Sequence, residues 1–138
     1  KNGALLNLKD KFGKSALVYC VNKDQIEATE FLLIHQPEVD SLDKFEWTPL
    51  MWAVKKDYFK IIRLLVKYKA DINHKDNEGT PIIQYAVENE SVDVVKFLID
   101  KGVDINVTDQ YGLSPLVYAL KTKNKAIVDL IRSAGGEY

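Results

Sequence analysis

Between Thr48 and Val54 the chain reads Thr-Pro-Leu-Met-Trp-Ala-Val, and its apolar positions predict a helix. Leu50, Ala53 and Val54 fall on one face at helical spacing. Thr48 offers its hydroxyl to the first free backbone N–H groups. Pro49 takes the first helical position, where a missing N–H costs nothing. The pattern returns as Ser15-Ala16-Leu17-Val18-Tyr19-Cys20-Val21, as Pro81-Ile82-Ile83-Gln84-Tyr85-Ala86-Val87 and as Ser114-Pro115-Leu116-Val117-Tyr118-Ala119-Leu120. A second apolar run follows each copy: Phe31-Leu32-Leu33, Leu64-Leu65-Val66, Phe97-Leu98-Ile99 and Leu130-Ile131. The copies recur every 33 residues, which divides the chain into repeats 10–42, 43–75, 76–108 and 109–138. Residues 1–9 read as the end of a preceding repeat.

Other landmarks keep the same period. Asp10, Asp43, Asp76 and Asp109 open the repeats, and three of them begin an Asp-x-x-Gly turn ending at Gly13, Gly79 and Gly112. Glu46 stands where the fourth glycine belongs. Two repeats close alike, on Ala70-Asp71-Ile72-Asn73 and Val103-Asp104-Ile105-Asn106. Turn, Thr-Pro-Leu helix, second amphipathic helix and Asp-Ile-Asn return loop together resemble the ankyrin repeat over nearly the whole chain. The resemblance implies an all-α fold: an ankyrin-repeat solenoid of stacked helix-turn-helix units with short β-hairpin-like turns, forming one domain over 1–138. One helix pair cannot bury its own apolar face, so neighbours stack into a shared core. The resemblance further implies a concave side of turns and first helices that binds partners, and no shared catalytic residues. It also places Asn73 and Asn106 where similar repeats can be hydroxylated.

The repeats are not identical. Repeat 1, with helices expected near Ser15–Asn22 and Gln25–Ile34, has Ala28 and Thr29 where later copies carry Ile61-Ile62 and Val94-Val95. Pro37 and Asp40 replace the alanine and asparagine of its return loop. In repeat 3 the Thr-Pro pair slips by one residue, so Pro81 takes the capping position and Thr80 is left to cap from one residue earlier. Cys20 occupies the small position filled elsewhere by Ala53, Ala86 and Ala119, and reads as a packed, reduced thiol. Arg132 replaces Leu33, Val66 and Ile99, as expected of a capping repeat. A start at Lys1, with Gly3-Ala4-Leu5-Leu6-Asn7 like the tail of another repeat, reads as a piece of a longer protein or as a protein that lost its N-terminal segment.

Composition narrows the function. The 138 residues are 46% hydrophobic and 28% charged with net charge −1, as in an ordinary soluble domain. Near-neutral charge argues against nucleic acid. No apolar run approaches a membrane span of about 18 residues or more. His35 and His74 have no partner at metal-ligand or triad spacing, so no enzyme activity, metal or cofactor is expected. A single cysteine fits an intracellular, cytoplasmic setting, and a monomer is expected.

What remains is a surface for a partner protein. The resemblance implies that Phe12, Phe45, Trp47, Tyr111 and Leu113 point into solvent from the turns. Large rigid apolar groups make interface anchors; the other reading has them pack on neighbouring turns and stiffen the hairpins. Tyr19, Trp52, Tyr85 and Tyr118 recur without exception and read as a packing ladder between repeats. Net charge alternates by repeat: −3, +4, −5 and +1. First-helix ends follow suit, with Lys55 and Lys56, then Glu88 and Glu90, then Lys121 and Lys123. That strip either selects a complementary partner or is a set of solvated helix ends. The expected function is a non-catalytic protein-protein interaction module, as in a scaffold. The alternative is a structural spacer or intramolecular docking domain within a larger enzymatic or secreted effector protein.

Overall fold

The computed structural model describes residues 7–35 and 37–138. The expectation for Gly3–Leu6 lies outside them. Among the described residues there are eight helices, in four pairs: α1 Ala16–Asn22 and α2 Ile26–Ile34, α3 Pro49–Lys56 and α4 Phe59–Lys67, α5 Ile82–Glu88 and α6 Val92–Asp100, α7 Pro115–Thr122 and α8 Lys125–Ser133. Among the described residues the fold is all-α, as the resemblance to ankyrin repeats implies. Two isolated bridges, Lys9 with Ser15 and Lys75 with Pro81, are the only β pairing among the described residues.

The chain divides into two compact units, Lys1–Asp71 and Ile72–Tyr138. In the N-terminal unit α1 packs on α2 and α3, and α4 packs on α2 and α3. Its core holds Leu17, Val21, Leu33, Leu50, Met51, Ile61, Ile62 and Leu65, all nearly solvent-free. In the C-terminal unit α5 packs on α6 and α7, and α8 packs on α6 and α7, around Ile82, Ile83, Leu98, Leu116, Ile127 and Ile131. Each such side chain contributes roughly 1.5–3 kcal/mol by leaving water. Repeat 1 is the weak copy in this respect. Thr29 is fully buried at the place of Ile62, and its hydroxyl has no hydrogen-bond partner.

Helix starts follow the sequence in part. The Val18 and Met51 N–H groups donate to Ser15 Oγ at 3.4 Å and Thr48 Oγ1 at 3.2 Å. α5 has no side-chain cap, and Thr80 does not supply one. The slipped register instead brings the Thr80 hydroxyl to Tyr85. Ser114 does not cap α7 either: its hydroxyl donates to the Glu137 carbonyl at 2.6 Å. Cys20 is half-buried rather than fully packed, and burial pushes its thiol pKa up.

Every positive φ among the described residues falls in one of three columns of the repeat. The turn column is Gly13, Glu46, Gly79 and Gly112; the helix-to-helix column is Asp24, Asp57, Glu90 and Lys123; the return-loop column is Lys69, Gly102 and Gly135. Backbone geometry is thus held constant while the residues filling it vary. Gly13 shows why its column favours glycine. An added Cβ would lie 3.0 Å from the Lys44 backbone nitrogen, at φ +77°. Glu46 takes the same conformation with a side chain, at φ 58°, which is strained for an L-residue.

Return loops are tied to their successors by a fourth column. Oδ1 of Asn7 accepts the Glu38 N–H at 2.7 Å, and that of Asp40 accepts the Asp71 N–H at 3.1 Å. Asn73 Oδ1 accepts from Asp104 and Asn106 Oδ1 from Glu137, each at 2.8 Å. Asp40 therefore does the work of the asparagine it replaces.

Candidate protein-binding surface

The turns are built from their aspartates outward. In all four repeats Asp Oδ1 accepts two backbone N–H groups, from the residues two and four further on. Phe12, Phe45, Glu78 and Tyr111 donate at 2.9 Å, and Lys14, Trp47, Thr80 and Leu113 at 3.0 Å. Backbone bonds close the same loop: Asp43 N–H to the Trp47 carbonyl at 3.1 Å and Glu46 N–H to the Asp43 carbonyl at 2.9 Å, with equivalents in the other turns. Each tip residue is therefore held by its main chain, leaving its side chain free to vary.

The second carboxylate oxygen takes the recurring aromatic. Trp52 Nε1 donates to Asp43 Oδ2 at 2.9 Å and the Tyr85 hydroxyl to Asp76 Oδ2 at 2.6 Å. The Tyr19 and Tyr118 hydroxyls donate likewise to Asp10 and Asp109. The polar tip of each aromatic is thus bonded within its own repeat, locking first helix to turn, a role additional to the packing between repeats expected of the series; Tyr118 also bonds Gln84 of the preceding repeat. The nine-residue interval from aspartate to aromatic was visible in the sequence and was the missed signal.

The bonds leave their mark on ionisation. Tyr19, with the backbone N–H groups of Lys14 and Phe12, draws the Asp10 carboxyl below its usual range. At Asp109 burial pushes upward, but Tyr118 and the backbone donors outweigh it and the pKa falls. Asp109 in turn pushes the Tyr118 phenol up to about 12, and Asp10 raises that of Tyr19. Tyr85 is raised further, first by burial and then by Asp76.

In the N-terminal unit, Phe12 and Phe45 are 44% and 48% exposed. Trp47 departs from expectation. It is half-buried, with its ring centroid 4.7 Å from that of Trp52. Lysines lie over the rings: Lys44 Nζ is 5.5 Å from Phe12 and 5.3 Å from Phe45, and Lys14 Nζ is 4.8 Å from Trp52. Lys55 and Lys56 are exposed at the end of α3.

In the C-terminal unit, Tyr111 is 73% exposed. Leu113 is half-buried, again short of the solvent position expected for it. Glu88 is exposed at the end of α5, 3.5 Å from the Gln84 amide nitrogen. Glu90 accepts from Asn124 Nδ2 at 3.2 Å, and Lys121 Nζ lies 5.0 Å from the Tyr118 ring. The third turn carries Asn77, Glu78 and Thr80 in place of an aromatic tip.

Among the described residues no group of three His, Cys, Asp or Glu side chains is placed to hold a metal, and no helix is long and apolar enough to cross a membrane. A search of curated proteins finds no significant match to this sequence. A family model for ankyrin repeats (3 copies) matches residues 2–76 and again 70–138. With the period, the paired helices and the repeated turn, that match accounts for the whole described structure: the chain belongs to the ankyrin-repeat family.

Proposed function

We propose that this chain is a non-catalytic module that binds a protein partner through its turn tips and first-helix ends. Ankyrin repeats generally act as protein–protein interaction modules, and the family is typically non-enzymatic. On the N-terminal unit the contact residues are Phe12, Phe45 and Trp47 with Lys55 and Lys56; on the C-terminal unit they are Glu88, Tyr111 and Leu113. The observation that carries this reading is the exposure of Phe12, Phe45 and Tyr111 on turns where their own N–H groups are already bonded to the repeat aspartates. An aromatic side chain that its own fold does not need, on a rigid support, loses little entropy when a partner covers it.

Trp47 has a second reading, favoured by its stacking on Trp52: it stiffens the turn. A retention experiment separates the two. The full chain, Phe45→Ala and Trp47→Ala are used as baits against lysate of the source cell, and each is melted. Loss of a retained protein with Phe45→Ala at unchanged melting supports the binding face. Equal retention by all three baits removes both residues from it. An early melt confined to Trp47→Ala assigns that ring to the fold.

A further inference from the structure

We infer that the N-terminal unit's tips fit an acidic protein segment carrying apolar side chains, an inference that rests on the binding face proposed above. Two consecutive turns present Lys11-Phe12-Gly13-Lys14 and Lys44-Phe45-Glu46-Trp47. Their lysines are ordered against aromatic faces. The Lys44 ammonium sits between the Phe12 and Phe45 rings, at 5.5 and 5.3 Å from their centroids. Lys11 Nζ lies 5.3 Å from Phe12, and Lys14 Nζ 4.8 Å from Trp52. An ammonium over an exposed ring gains only modestly from it and stays open to an anion on its outer side.

The turn acids match these lysines in number, Asp10, Asp43 and Glu46 against Lys11, Lys14 and Lys44, but two of the three have their oxygens committed elsewhere. Asp10 and Asp43 spend both oxygens on their own turns and on Tyr19 and Trp52. Glu46 is the one acid among the eight tip residues, against three lysines. A partner carboxylate meeting Lys44 would stand beside two half-exposed phenyl rings, so an acid flanked by an aliphatic or aromatic side chain satisfies both features at once. Nucleic acid fits less well. Residues 1–71 hold twelve Lys and Arg against ten Asp and Glu, too even a balance for the basic face that phosphate backbones select.

The test is calorimetric titration of the full chain with three probes: an end-blocked peptide alternating glutamate and leucine, its lysine–leucine counterpart, and oligothymidylate. The glutamate–leucine peptide should bind at least about tenfold tighter than either other probe, and weaken as salt is raised. Lys14→Gln with Lys44→Gln should weaken it about tenfold or more at unchanged helical signal, and Lys14→Arg with Lys44→Arg should keep it. The inference falls if the lysine–leucine peptide or the oligonucleotide binds as well, if no acidic peptide binds, or if the glutamine variant binds unchanged. Failure of the face itself reads differently. A natural partner lost with Phe12→Ala/Phe45→Ala but kept by the glutamine variant leaves the face standing and removes only its preference for acids. A partner kept by both variants removes the face.

Discussion

In the second turn Asp43 holds the Phe45 and Trp47 N–H groups with one oxygen and Trp52 with the other; in the third, Asp76 holds Glu78, Thr80 and Tyr85 with the same three bonds. The paired distances agree within 0.3 Å. Yet one tip shows a lysine, a phenyl ring and a tryptophan, and the other an asparagine, a glutamate and a threonine. Frame and surface are separate in this protein. The aspartate specifies backbone shape through oxygens that ask nothing of the tip side chains, so those side chains are free to specify a partner.

The comparison breaks most severely at the frame. Asp43→Ala removes three hydrogen bonds to a buried carboxylate and should cost about 3 kcal/mol, read by urea unfolding. Phe45→Ala in the same turn should stay within about 0.5 kcal/mol of the parent. Equal losses would mean that the tips belong to the frame.

Next comes the turn glycine. In Gly13→Ala a Cβ meets backbone of the following turn at 3.0 and 3.1 Å, in addition to the positive φ. A loss of about 2 kcal/mol is expected. Glu46→Gly should do the reverse, gaining up to about 1 kcal/mol by relieving an L-residue at φ 58°. A melting series of the two variants tests both signs.

Thr29→Val sharpens the contrast between repeat 1 and its neighbours. It removes a buried hydroxyl without a partner and restores the β-branched apolar residue that Val95 and Val128 provide. The expected gain is about 1 kcal/mol, and a lower unfolding midpoint would show that the hydroxyl is satisfied in solution.

The smallest effect is on pH dependence. Asp109 has a lowered pKa, so its stabilising contribution is present above the ordinary value of 3.8 and is lost as pH falls through the lowered one. Tyr118 has a raised pKa, so its contribution is present below 10.0 and is lost as pH rises through about 12. Asp109→Asn should therefore flatten the acid limb of stability against pH, and Tyr118→Phe the alkaline limb. A spectrophotometric titration of the parent should show a phenol ionising near pH 12 that Tyr118→Phe lacks.

Much of the frame was legible in the sequence because it repeats. Four copies at one interval located the turns, both helices of each pair and the buried alanines, and single deviations such as Glu46, Thr29 and Pro81 stood out against the others. What escaped was side-chain geometry. Trp47 follows the tip by two residues exactly as Lys14 does, and nothing in the spacing tells a ring that folds back on Trp52 from a side chain that reaches outward. Ser114 matches Thr48 letter for letter in its role, but its hydroxyl finds the Glu137 carbonyl from a distant return loop. The aspartate–aromatic bond was legible in principle. Its two partners form two separate periodic series, and only their constant separation joins them.

The most direct measurement is unfolding and partner retention on one variant, Phe12→Ala/Phe45→Ala. Its unfolding midpoint should lie close to that of the parent, because main-chain bonds to Asp10 and Asp43 hold both turns without the rings, and it should lose the partner protein that the parent chain retains. A chain that unfolds markedly earlier, or that keeps its partner at the parent's affinity, would contradict the separation of frame from surface.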